Sequence, residues 1–162
     1  MFAYYIELKQ SKILFIFTCS LLTTIKGASQ NTTVETTSDI IRFVLPAKTL
    51  ATTFIIGDTK GSWQFTKGFL LNDALTFGLK YAVKKERPDK SDNLSFPSGH
   101  TSTTFHSASF IHRRYGFKYS IPAYALAGFT AYSRLEANKH DGWVVLAGAV
   151  IGVGSTFIFT TE

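Results

Sequence analysis

At 162 residues, with 45% apolar and 17% charged residues, the chain has material for one domain of ordinary globular or membrane-associated composition. A formal net charge of +6 calls for an anionic partner. The basic residues form no stripe interleaved with aromatics and no nucleic-acid motif is present, so nucleic acid is not the expected partner.

In chain order, Lys9 and Lys12 precede an apolar run over 13–25, followed by Gly27, Ala28 and Ser29. Basic flank, short apolar core and small residues make 1–28 a signal peptide or an uncleaved N-terminal anchor. An exported protein, periplasmic or membrane-associated, is expected. Cys19, the one cysteine, lies in this segment, so the mature chain would carry no disulfide and no thiolate chemistry. Residues 29–39 are rich in Thr and Ser and read as a polar linker, with one helical domain over 40–162.

Within that domain apolar residues recur at helical spacing and no strand alternation is visible. A first helix is predicted from near Pro46 to Gly57, and a second over 62–85, stopped by Pro88. A third follows over 98–114, a fourth begins at Pro122 and ends near Ala137, and a last covers 141–159. The fold class is all-α, a helical bundle. The stretch 143–159 is apolar nearly all round, which fits either a buried core helix or a membrane segment, so membrane contact is expected.

Three segments carry chemistry. Lys80 and Arg87 stand seven residues apart, about two helical turns, which puts both cations near one face. Pro97-Ser98-Gly99-His100 stops the chain, caps a new helix and leaves its first N–H groups open to an anion, with His100 in the first turn. Ser133-Arg134 precedes His140 by six residues, counted from the arginine, whose planar fork fits phosphate oxygens. Taken singly, each segment is equally a solvated face, a capped helix start or a structural histidine. His106 and His112 read as packing or surface residues.

In this order and spacing, K-x6-R-P, PSGH and S-R-x5-H resemble the three-part signature of the type 2 phosphatidic acid phosphatases, class A acid phosphatases and vanadium haloperoxidases. The resemblance implies a phosphatase-like helical domain over 40–162 and a metal-independent mechanism without a cofactor. His140 would be the nucleophile, forming a phosphohistidine, and His100 the acid for the leaving alkoxide. Lys80, Arg87, Ser98, Gly99 and Arg134 would bind phosphate. Its substrate would be a phosphorylated small molecule or lipid: a lipid phosphate, a polyprenyl diphosphate or a small soluble ester. Oligomeric state is not indicated.

The chain departs from this pattern at one point. The family has an aspartate four residues after the nucleophile, where it orients the imidazole, and here that position is Val144. Asp141 is the substitute candidate, although on a helix it would point about 100° away. The departure leaves a second reading open: a catalytically impaired phosphate-binding or membrane-associated protein.

Overall fold

A computed structural model describes residues 31–162 as five helices: α1 (Asn31–Ile55), α2 (Thr59–Val83), α3 (Gly99–Tyr115), α4 (Phe117–Glu136) and α5 (Gly142–Phe159). No strand occurs among the described residues, and the all-α expectation holds. The leading segment read as a signal peptide or anchor lies outside the described residues.

Three helix starts differ from the sequence reading, the smallest shift being α2, which begins at Thr59 with Asp58 as its cap rather than at 62. The stretch taken as a linker is already helical from Asn31, and Pro46 lies inside α1 rather than at its start. Its hydroxyls make this possible by bonding to the carbonyls of their own helix. Thr37 Oγ1 donates to Thr33 O at 2.7 Å, and Ser38 Oγ donates to Glu35 O at 2.8 Å. A Ser/Thr-rich composition that favours loops in water is thereby compatible with a packed helix. Likewise α4 begins at Phe117, directly after Gly116, whose φ of +103° makes the turn from α3, and Pro122 falls within it.

At the centre of the bundle is α3, which packs against all four other helices. Its buried residues are mostly Ser, Thr, Ala and His. Most are tolerated because the hydroxyl finds an acceptor, as when Thr104 Oγ1 donates to His100 O at 2.9 Å and Ser107 Oγ to Thr103 O at 3.1 Å. His106, fully buried, sets its Nδ1 2.9 Å from Thr156 Oγ1 of α5 and is a packing residue. Small residues let the two backbones meet. A Cβ placed at Gly148 or Gly152 of α5 would run into the carbonyl oxygens of Ser98 and Ser102. Such Gly-xxx-Gly spacing is the close-approach device of helices packing in an apolar solvent.

The apolar core gathers Phe65, Phe110, Ile111, Ala123 and Ala127, with Phe65 and Phe110 edge to face at 5.0 Å. Below it, Asp58 caps α2 by accepting from Gly61 N at 2.9 Å, and it also receives Arg114 Nη2 at 2.7 Å and Tyr115 Oη at 2.9 Å. Burial alone would raise the Asp58 carboxyl, but these donors hold it down at about 2. Large apolar side chains remain on the outside, among them Phe43, Phe54, Ile55, Leu70, Val150 and Ile158, each more than half exposed. Buried Ser and Thr beside exposed large apolar side chains depart from the usual arrangement of a protein in water.

Candidate active site

The N-termini of α3 and α5, the C-termini of α2 and α4, and the first half of α1 converge at the end of the bundle opposite Asp58. Ser98 caps α3, accepting from Thr101 Oγ1 at 3.0 Å, and its own N–H donates to Val144 O at 3.2 Å, which ties α3 to α5. Gly99 opens α3 beside two cationic side chains. A Cβ there would lie 3.8 Å from Lys80 Cε and 3.9 Å from Arg42 Nη2, so both cations are drawn up to the helix start. An N-terminus carrying partial positive charge and two cationic side chains share this point.

His140 lies in the connection between α4 and α5, with its N–H donating to Arg134 O at 3.2 Å. The side chain is buried, and burial pushes its pKa down to about 3, helped by the charges of Arg87, Lys80, His100 and Arg134. At neutral pH it is an uncharged imidazole with a free lone pair. Lys80 is lowered to about 8, first by burial and then by Arg87, and its ammonium donates to Leu94 O. Arg87 Nε donates to Asp92 Oδ1 at 2.7 Å. The sequence-derived set His140, His100, Lys80, Arg87, Ser98, Gly99 and Arg134 therefore comes together at one end of the bundle.

Asp141 serves elsewhere. Its Oδ1 accepts from Val144 N at 3.1 Å as the cap of α5, and its Oδ2 pairs with Lys85. Neither oxygen has His140 as a partner, so Asp141 is not the orienting carboxylate. The contact to the His140 ring comes instead from Ser95, fully buried, whose Oγ lies 3.3 Å from Nδ1 and 3.5 Å from Lys139 O.

Sequence reasoning also missed α1. Asp39 Oδ1 lies 2.7 Å from His100 Nε2 and 3.1 Å from Arg134 Nη1. The Arg134 guanidinium donates further to Glu35 O at 3.0 Å and to Ser38 Oγ. Burial pushes His100 down to about 4, with Arg134 and Arg42 acting in the same direction and Asp39 opposing them. The signal lay in the i, i+4 and i, i+3 spacing of Glu35, Asp39 and Arg42, which puts two acids and a base on one helical face. Arg42 and Asp73 also line a groove of about 430 Å³ between α1 and α2, whose walls are Phe43, Leu50, Phe69 and Leu70. Arg42 thus belongs both to the cationic site and to the apolar groove.

The family model described as PAP2 superfamily matches residues 61–161. The lipid A 1-phosphatase of Porphyromonas gingivalis is 39% identical over 105 residues, 58% of this chain and 24% of that protein. The lipid A 4'-phosphatase of Helicobacter pylori is 30% identical over 140 residues, 80% of this chain and 70% of that protein. The chain thus spans about a quarter of the first relative's length and 70% of the second's. No solved structure matches.

Proposed function

The chain belongs to the PAP2 superfamily, and from that premise we propose that it is a phosphatase that removes a phosphate monoester from a lipid, without a metal, through a phosphohistidine on His140. The observation that carries this reading is the neutral His140 imidazole buried among Lys80, Arg87 and Arg134. Phosphoryl transfer asks a protein chiefly for positioning and for charge stabilisation at the equatorial oxygens. Three cations, the α3 N-terminus and the Ser98 hydroxyl answer that demand.

In the first step the His140 Nε2 lone pair forms the N–P bond as the P–O ester bond breaks. The departing oxygen takes its electron pair and a proton from His100. In the second, water gives a proton to His100 and its oxygen attacks phosphorus. The N–P bond breaks, returning free His140 and inorganic phosphate. Ser95 supports the required tautomer. With its hydroxyl hydrogen directed to Lys139 O, the Ser95 oxygen accepts Nδ1–H, leaving Nε2 unprotonated for attack. This contact stands where a carboxylate would otherwise act, and it favours an active enzyme over the impaired protein that Val144 alone suggests.

A lipid substrate is supported by three features. The apolar groove shares Arg42 with the phosphate site, which suits a headgroup phosphate joined to acyl chains. Among the described residues α5 is the one helix long and apolar enough to cross a membrane, with mean hydropathy 1.9. Exposed Tyr81, Tyr132 and Trp143 lie at the site end of their helices, the level that such side chains take at a membrane surface. The relatives' names make a phosphorylated glycolipid of the lipid A type the first substrate to try. The test compares phosphate release from lipid A in mixed micelles with release from p-nitrophenyl phosphate, in EDTA. A higher kcat/KM on the lipid is expected, and preference for the soluble ester would overturn the lipid assignment.

A further inference from the structure

The His100–Asp39 pair has no counterpart in the three-part signature, because Asp39 precedes all three segments by more than a helix. One oxygen of Asp39, Oδ1, touches both Nε2 of His100 and Nη1 of Arg134, so a single carboxylate from α1 holds the acid of one motif and the phosphate fork of another. We infer that Asp39 is a positioning residue for catalysis: it accepts Nε2–H of His100, fixing the ring so that Nδ1 delivers the proton to the leaving alkoxide. The inference rests on the phosphohistidine reading and concerns the acid step of that same site.

The physical need is visible in the surroundings. His100 faces Arg42 from α1, Arg134 from α4 and His140 from the connection to α5, with Lys80 of α2 beside the adjoining Gly99. Burial first, and then the charges of Arg134 and Arg42, disfavour the imidazolium that an acid catalyst must be. Asp39 opposes them, and its position on the far nitrogen does so without blocking Nδ1. Glu35, the other acid of this face, reaches Arg134 only at 4.0 Å and is not a partner of His100. In the triad arrangement of hydrolases, a carboxylate holds one imidazole nitrogen while the other exchanges a proton with the substrate. Here that logic is assigned to the acid, and the nucleophile His140 is left to Ser95.

A leaving group that needs no proton separates this role from a structural one. Asp39→Asn keeps the size and an acceptor oxygen but removes the charge. For an alkyl phosphate, kcat should fall by about tenfold or more, since general acid catalysis is worth about 10²–10⁴. For p-nitrophenyl phosphate, whose phenolate leaves unaided, the loss should be much smaller. With the alkyl substrate the alkaline limb of kcat/KM should move to lower pH, because without the carboxylate His100 gives up its proton earlier. Asp39→Glu should restore part of the alkyl-to-aryl ratio, and Glu35→Gln should leave that ratio unchanged. Thermal unfolding is read beside each variant, and Asp39→Ser carries the same expectation if Asp39→Asn does not fold.

Equal losses on both substrates, or an unmoved alkaline limb, would overturn the inference while the phosphatase stands. So would a lower KM at constant kcat, which would make Asp39 an anion that merely occupies the phosphate fork. Loss of all turnover in His140→Ala is the accompanying control. Activity that survives that change would bring down the phosphohistidine reading itself, and this inference with it.

Discussion

Ser95 Oγ lies 3.3 Å from Nδ1 of His140, while Asp141, the neighbouring carboxylate, is turned to Lys85 and to the first turn of α5. A hydroxyl therefore occupies the orienting position that the sequence pattern assigns to an acid. A hydroxyl fixes the tautomer but adds no negative charge to stabilise an imidazolium. Once Nε2 bonds phosphorus with Nδ1–H still in place the ring is a phosphoimidazolium, so Ser95 orients the nucleophile without offsetting the charge that develops on it. Ser95→Ala is expected to lower kcat by about 10- to 100-fold, the range seen when a hydrogen-bond partner that orients a metal-bound histidine is lost, with KM nearly unchanged. Steady-state kinetics on p-nitrophenyl phosphate measure it.

Removing one cation should act on the transition state more than on binding. Arg87→Ala is expected to lower kcat by about 10²–10³, as for other single donors to a developing charge. Arg87→Lys should recover little of that, because an ammonium cannot reproduce the two-pronged fork. Inhibition by vanadate, a mimic of the five-coordinate phosphorus, should weaken in parallel.

Acid should weaken the fold through His140. Its folded pKa of about 3 lies below the ordinary histidine value of 6.5, so the unfolded chain binds the proton more readily. Stability from the neutral ring is fully present above pH 6.5 and is lost as pH falls toward 3. His100, at about 4, adds in the same sense. The melting temperature should drop between pH 6.5 and 4, and His140→Gln should make that drop shallower. A scan by circular dichroism in one detergent reads both.

Close packing of α3 on α5 makes a prediction without chemistry. Gly152→Leu would press into the Ser102 carbonyl and should destabilise the fold by about 1–3 kcal/mol or more, as overpacking does. Gly154→Leu, two positions on, meets nothing within 4 Å and should be close to neutral. Denaturant titration of the pair distinguishes a contact surface from a general preference for glycine.

The motif residues were legible because their chemistry is local. Pro97-Ser98-Gly99-His100 announces a capped helix start; Lys80 and Arg87 do meet at the site, but not on one helical face, because α2 stops at Val83 and Arg87 stands in the loop beyond it. What the sequence hid was the role of α1. Thr37 and Ser38 look like loop residues until their hydroxyls are seen to satisfy carbonyls of the same helix. With the start of α1 read at Pro46, Glu35, Ser38, Asp39 and Arg42 fell outside every predicted element, and their contacts to His100 and Arg134 went with them. Ser95 was hidden for another reason. Its partner is 45 residues away, and no local pattern marks one serine of a polar loop as the one that turns inward. Pro122 misled as Pro46 did, setting the helix start too late, since a proline is tolerated inside a helix as well as at its first position.

The most direct test of the central claim is to trap the intermediate. The protein is quenched in alkali during turnover of a phosphate ester in EDTA, and the peptide containing His140 is weighed by mass spectrometry. The account predicts a phosphoryl group on His140 that survives alkali, is lost in acid and is absent from His140→Ala. Full turnover in His140→Ala, or a phosphoryl group found on another residue, would contradict it.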